Sequence, residues 1–426
     1  MKQFLMVLFV AVCMVLLTTP VPAIELDELG GVVIHGFLSQ GYMWTDENNF
    51  FADTEDNGTF QFNEFGINFS TELTDQLRMG IQLLAYDMGD LGNDKVKVDW
   101  AFADFHFNDW LGFRVGKSKM TIGLYNEIKD IDVSRTSIML PMAVYNESWR
   151  ESLSANKGIT AYGTLPLDKL GSLDYTAQVG LLRIEDNGGV IRLLEDQSPG
   201  GTSIDVEHIK QDHTVNTCLM WDTPLDGLMI GGSWINVCFI SESDFSIPAL
   251  KLTAPFDFEM VFNAHLASAE YVWGNLTVAA EYAEFSYDYF TKGLSSRGIP
   301  DIRRKYTSVG YYGSLSYRFT DWFELGTYYA EYYSDKDDKD GSQRLSNPEL
   351  PAGQTDYRSW LKDACLTARF DLAASWLLKL EGHAMNGAAL LLSSDDNTRF
   401  NADTGLNEID FDENWLLLMA KVTYAF

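Results

Sequence analysis

Hydrophobicity in this chain repeats with a period of two, and the repeat recurs from near the start to the last residue. Within residues 77–84, Leu77, Met79, Ile81 and Leu83 share one face, and Arg78, Gly80 and Gln82 share the other. Successive side chains of a strand point to opposite faces, so this pattern predicts strand and not helix. The same alternation sets Leu173, Tyr175, Ala177, Val179 and Leu181 against Asp174, Thr176 and Gln178, and sets Val309, Tyr311, Leu315, Tyr317 and Phe319 against Ser308, Ser314, Ser316 and Arg318. It returns at the end, where Leu416, Leu418, Ala420, Val422, Tyr424 and Phe426 oppose Lys421 and Thr423.

Seven tight turn signals separate paired strands: Thr74-Asp75, Asn108-Asp109, Pro166-Leu-Asp168, Pro224-Leu-Asp226, Gly274-Asn275, Thr320-Asp321 and Asp371-Leu-Ala. Two of them sit in near copies, Phe107-Asn-Asp-Trp-Leu111 and Phe319-Thr-Asp-Trp-Phe323, which read as repeated hairpins. Eight longer polar stretches alternate with these turns, at 46–57, 88–95, 122–156, 184–212, 242–255, 288–304, 334–355 and 387–411. Fifteen connections join 16 strands, an even number with short turns at one end and long loops at the other. The expected fold is therefore all-β: a 16-stranded antiparallel transmembrane β-barrel with short periplasmic turns and long extracellular loops. The stretch 228–273 alternates poorly and leaves the strand number open by two.

A soluble sheet also alternates, so the flanks carry the membrane reading. Phe107, Trp110, Trp221, Trp273, Phe319, Trp322 and Trp376 cluster beside the short turns, where a membrane barrel places amphipathic rings at the lipid headgroups. The closing Phe426 resembles the C-terminal aromatic signature of bacterial outer-membrane barrels. At the other end, Lys2 precedes an apolar run over 4–17, followed by Val21-Pro22-Ala23. This pattern predicts a cleaved signal peptide over 1–23, with the barrel over 24–426, and hence export to the outer membrane of a Gram-negative cell. The run is shorter than the roughly 20 residues a membrane helix needs, and Cys13 lies inside it, where a lipid-modified cysteine would not.

Charge narrows the partners. The 61 acidic residues outnumber 31 Lys and Arg for a net charge of −30, and the basic residues are scattered singly, which argues against nucleic acid. Lipid, lipopolysaccharide and small hydrophilic solutes or ions are the partners expected. The inward face is expected to carry Arg78, Gln82, Asp174, Gln178, Glu281, Arg318, Asp363, Arg369, Lys379, Glu381, His383 and Lys421. A wall so charged needs water, and a 16-stranded barrel is wide enough to supply it. The pore-wall candidates are Arg78, Glu281, Arg318, Arg369, Lys379 and Glu381.

The third long connection is unusual, because Gly123-Leu-Tyr-Asn-Glu-Ile, Ile138-Met-Leu-Pro-Met-Ala-Val-Tyr145 and Trp149 are too apolar for an exposed loop. It is expected to fold back into the lumen and narrow it, with Lys117, Lys119, Arg135 and Arg150 on one side of a constriction and Glu127, Asp130 and Asp132 on the other. A loop covering the barrel mouth or a subunit interface is the alternative. Counting Lys129 with the cations and Glu147 and Glu151 with the acids gives five against five between 117 and 151, which decides nothing about ion sign. The net acidity leans weakly towards cations, although much of it sits in the outer loops and is screened there.

The whole pattern resembles a bacterial porin. Within that group, Phe113-Arg-Val-Gly-Lys117, Gly123-Leu-Tyr and the stretch from Leu140-Pro141 to Arg150 resemble the segment between the fifth and sixth strands of phosphate-selective porins of the O and P type. The resemblance implies a passive channel, commonly a homotrimer, with no chemical step and no cofactor. That family's anion selectivity rests on clustered Arg and Lys, which the sequence does not place here.

Other motifs carry less. The six histidines, His35, His106, His208, His213, His265 and His383, form no HExxH and no close pair except His208 with His213, so no metal site is expected. Asp335-Lys-Asp-Asp-Lys-Asp-Gly341 superficially matches a calcium loop but puts Lys336 and Asn347 at ligand positions. Pairing about the turn at 224–226 sets Cys218 opposite roughly residue 231, leaving Cys238 about seven residues, roughly 23 Å, too far for a disulfide. A substrate-selective anion or phosphate channel, an outer-membrane hydrolase assembling Ser, His and Asp from separate strands, and a structural or adhesive barrel remain as alternatives.

Overall fold

The computed structural model describes residues 24–26, 31–182, 184, 188–195, 203–247, 252–292, 301–346, 355–392, 397–401 and 406–426. The signal peptide expected over 1–23 lies outside these residues. Among the described residues, sixteen strands form one ring: β1 (Val32–Thr45), β2 (Asn63–Thr74), β3 (Leu77–Asp87), β4 (Lys97–Asn108), β5 (Leu111–Lys119), β6 (Ala155–Pro166), β7 (Ser172–Leu182), β8 (Ser203–Asp222), β9 (Leu228–Ile247), β10 (Leu252–Trp273), β11 (Leu276–Lys292), β12 (Ile302–Thr320), β13 (Phe323–Tyr333), β14 (Trp360–Ala373), β15 (Trp376–Gly387) and β16 (Asn414–Ala425). Each is antiparallel to the next, and β16 pairs with β1 from Leu417↔Thr45 to Ala425↔Phe37, closing the barrel. Beyond that ladder the Phe426 and Gly36 backbones exchange two hydrogen bonds of 2.9 Å. A Cβ on Gly36 would collide with the Phe426 ring, so a glycine is what the closing aromatic packs on. A three-residue ladder, Ile24–Leu26, also lies against β1.

The seven short connections fall where the turn signals stand, except that the last reversal comes at 374–375, because β14 runs on to Ala373. The two near-copied motifs fold alike: Asn108↔Leu111 and Thr320↔Phe323 close two-residue turns, each with a register shift in the preceding strand. At the other end three expected loops shrink. β8 begins at Ser203, β9 and β10 leave only 248–251 between them, and β11 and β12 reach Lys292 and Ile302. Strands of 17 to 22 residues here exceed the roughly 9–11 that cross a bilayer, so their polar ends project past it.

The alternation read from sequence sets the two faces of the wall. Met79, Ile81, Val179, Leu181, Leu315, Tyr317, Leu366, Leu416 and Leu418 point outward as exposed apolar groups, while Gln82, Gln178, Glu281, Asp363, Thr367, Lys379, Glu381, His383 and Lys421 are buried inside. Six of the seven aromatics expected beside the short turns, from Phe107 to Trp322, are exposed, and the seventh, Trp376, packs on Tyr424. This is the apolar band with an aromatic rim of a transmembrane barrel. The poor alternation of 228–273 has a physical cause: Ile235, Val237, Phe239, Met260, Phe262, Ala264 and Leu266 point inward yet belong to a buried apolar cluster. The inward face is apolar here, while the outward face mixes Ile230, Trp234 and Val261 with Asn236, Asn263 and His265, so the period fades.

Candidate functional site in the barrel interior

The connection between β5 and β6, residues 120–154, enters the ring. Its own sequence knits it first. The Asn126 amide donates to the Met120 and Leu153 carbonyls, both at 2.9 Å, tying the two stems together, and the Arg135 guanidinium donates to the Lys129, Ser137 and Ile138 carbonyls. Its apolar residues then divide between opposite walls. Ile138, Met139 and Met142 pack with Met43, Leu84, Met385, Leu417 and Met419, whereas Leu140, Ala143, Val144 and Tyr145 pack with Ile235, Phe262, Tyr312 and Tyr328. A segment that touches both sides of a ring lies within it, which explains the apolar residues that made this loop stand out.

Polar contacts fix its depth. On one side, Glu281 of β11 accepts from Leu124 N at 3.0 Å, Ser268 Oγ at 2.5 Å, Tyr312 Oη at 2.8 Å, and Tyr145 Oη. Gly123, at φ +57°, makes this approach possible, because a Cβ there would meet Glu281 and Tyr145. On the other side, charges of alternating sign link wall and loop: Asp99, Lys119, Asp130, Arg150, Glu64, Lys421, Asp132 and Lys379. Lys119 bridges Asp99 (2.8 Å) and Asp130. Arg150 joins Asp130 (2.7 Å) to Glu64 and lies over the Tyr86 ring. Lys421 links Glu64 to Asp132 (3.7 Å), whose carboxylate also takes Lys379 Nζ (2.9 Å) and Thr423 Oγ1 (2.5 Å).

Cations and anions alternate along this chain of contacts, so each buried charge has an opposite one beside it. Burial alone would raise the Asp132 carboxyl, but Lys379, Lys421 and Arg135 outweigh it and hold it well below the usual carboxylate range. Asp130 is held low in the same way, by Lys119 and Arg150 against burial. Lys129 moves the other way: burial lowers its ammonium despite Glu147 at 3.1 Å.

The sequence candidates thus separate. Lys119, Asp130, Asp132, Arg135 and Arg150, with Glu281, Lys379 and Glu381 from the wall, come together as contacts that hold the loop. Glu381 receives Ile138 N at 2.6 Å and Met139 N at 2.9 Å. Arg318 pairs with Glu324 and Asp371, and Arg369 donates to the Val133 and Arg135 carbonyls of the loop. These two arginines and Arg135 line a cavity of about 410 Å³, together with Glu324, Thr136 and Tyr125. Lys117 donates to the Val98 carbonyl, Glu127 accepts from Arg114 at 3.3 Å, and Arg78 is exposed beside a short turn, away from the loop. Glu64 and Asp99 were not singled out from sequence. The alternation of Phe65, Ile67 and Phe69 puts Glu64 on the inward face and could have found it, whereas Asp99 is hidden by a register shift between β3 and β4.

The remaining motifs have local roles. Asp338 caps a helical turn by accepting from Gln343 N and Arg344 N. His213 of β8 binds its neighbour Asp212 and, across the ladder, Asn236 of β9. Cys218 pairs with Ser233 and not with residue 231, a shift of two positions that still keeps it from Cys238, and both are free thiols.

No family model and no curated protein sequence matches this chain. Its fold has relatives among solved structures. An anion-selective porin from Comamonas acidovorans superposes with a TM-score of 0.53 at 12% identity, covering 93% of this chain and 99% of that one. The outer membrane channel DcaP of Acinetobacter baumannii gives 0.52 at 12% identity over 93% and 97%. OmpF of Salmonella typhi, in complex with daunomycin, gives 0.53 at 13% identity over 95% and 100%. The likeness is one of fold and reaches the porin barrel as a whole; the narrower resemblance to the O and P type has no family match to carry it.

Proposed function

We propose that this chain is an outer-membrane channel of a Gram-negative cell, exported by a cleaved signal peptide, through which small hydrophilic solutes and ions diffuse without a chemical step. The observation that carries the reading is the combination of a closed 16-stranded ring, apolar outside, with a long connection hydrogen-bonded across its interior. In this reading residues 120–154 set the aperture, and solutes pass between the loop and the β10–β14 wall by way of the cavity under Arg135, Arg318 and Arg369. Lipopolysaccharide and lipid cover the outer band, and the working form is a homotrimer.

Selectivity in this reading is weak. The three arginines at the cavity face Glu270 and Glu324, so neither sign dominates, and a selective anion or phosphate channel would need those acids to be silent. A second reading, a barrel kept closed by its loop and serving a structural or adhesive role, draws on the two apolar clusters that grip the loop from both walls.

Single-channel recording of the refolded protein in a planar bilayer tests these readings, with reversal potential under a KCl gradient. Stable steps in multiples of three with a small reversal potential are expected. A large potential of the anion sign would move the reading to the anion channel, and silence from a correctly folded barrel would move it to the closed one.

A further inference from the structure

The inward faces of β14 and β15 carry a cluster of which the channel reading uses only Glu381, as a contact to the loop. A Cys365 Sγ, a Glu381 carboxylate oxygen and a ring nitrogen of His383 lie within 4.8 Å of one another, all on buried residues. The ladder sets them there: Cys365 is the direct cross-strand partner of His383, and Glu381 lies two residues along β15 on the same face. His383 Nδ1 faces Asp363 at 3.0 Å, and Asp363 is held in turn by Tyr328 Oη at 2.9 Å. His383 Nε2 faces Glu381 Oε1 at 3.1 Å.

We infer that Cys365, Glu381 and His383 form a binding site for a thiophilic divalent transition-metal ion such as Zn²⁺, with Asp363 as the positioning residue that orients the imidazole. Thiolate, imidazole and carboxylate together are the ligand set of zinc and its neighbours, and are ill-suited to calcium or magnesium. A carboxylate on the far nitrogen of a ligating histidine is the usual device that fixes its tautomer and turns the other nitrogen to the metal. Asp363 already occupies that place, which leaves Nε2 for the ion.

Charge balance favours the exchange. With both ring nitrogens facing carboxylates, His383 carries both protons and the thiol carries one. Binding releases the Nε2 proton and the Sγ proton to solvent and brings in a divalent ion. The cluster of Asp363, Glu381, His383 and Cys365 then has the same net charge as before, so no new charge is buried. Bond lengths of about 2.0–2.3 Å in a tetrahedral site put ligand atoms roughly 3.5 Å apart, so the three groups must close by about an ångström. The loop need not leave, because Glu381 Oε2 keeps Ile138 N, while Oε1, which also accepts from Met139 N at 2.9 Å, is shared between that amide and the ion. Three protein ligands leave the fourth position to water or solute.

Cobalt titration of the refolded, chelator-treated full chain tests the site. One Co²⁺ per chain is expected, with thiolate-to-cobalt absorption in the near ultraviolet that Zn²⁺ displaces. C365S should abolish that absorption while the barrel keeps its heat-modifiable mobility on gels, and the double variant C218S/C238S should retain it. D363N should weaken binding by about 10- to 100-fold. In the unaltered chain, Zn²⁺ should protect Cys365 from alkylation, read by mass spectrometry, which needs no variant to fold. Absence of cobalt–thiolate absorption in the folded chain, its survival in C365S, or alkylation of Cys365 unchanged by Zn²⁺ overturns the site; an unchanged affinity in D363N overturns the role of Asp363.

Discussion

Glu281 accepts four donors through two oxygens, two of them groups of the loop. Glu281→Gln keeps the shape but turns one acceptor into a donor. It should cost about 1–3 kcal/mol, seen as a lower melting temperature and as new protease cleavage near residues 123–125. Asp132 and Asp130 set the acid limit of the same assembly. Both are held below their ordinary range, so their contribution is fully present above about pH 4 and is lost only as pH falls through the depressed values. Protease accessibility around residues 130–132 should therefore stay unchanged from pH 7 down to about 4.5, and an increase there within that range would show that these carboxylates do not hold the loop. The inward positions of Lys379, Glu381, His383 and Lys421 were legible, since parity along one strand reveals them. The adjacency of Cys365 and His383 was not, because 18 positions separate them and only the register of β14 on β15 joins them.

At the scale of the element, the 120–154 connection is the part most open to test. Replacing residues 123–150 with a short Gly-Ser linker should leave a folded, heat-modifiable barrel whose unit conductance rises several-fold, while an unchanged conductance would mean that the passage lies elsewhere. Gly310 offers a gentler probe. A Cβ there would strike the Ala143 carbonyl, so Gly310→Val should push the loop from the β12 wall and change conductance without touching a charge. The loop's inward course could be expected from its apolar residues, because no exposed segment carries so many. Its partners could not, since a loop's contacts depend on strands that lie far away in sequence. The hairpin turns were readable from Asp, Asn, Gly and Pro. The lengths of β8 to β12 were not, because polar strand ends that project past the bilayer read like loops.

For the whole molecule, the outward band makes a depth-dependent prediction. Leu315 is exposed and points outward on β12, and its neighbour Ser314 shares the inward face of the buried Tyr312. Leu315→Arg should destabilise the barrel by about 2–4 kcal/mol if the site is near the bilayer midplane, measured by urea unfolding in lipid vesicles. Ser314→Arg should leave stability nearly unchanged and shift the reversal potential towards anions. An equal cost for both would contradict the assignment of faces.

The seam between β1 and β16 has a consequence in time. Every other pair in the ring joins strands that follow each other along the chain, but β1 waits for a partner that is made last. A chain in which β1 to β15 have paired but β16 has not is therefore a sheet with two raw edges and a greasy back, and no amount of local folding can hide either. Contacts between chain ends are the slowest to form, and unpaired edges invite pairing with strangers. The ring stays open until its last strand arrives, and that single arrival covers both raw edges at once.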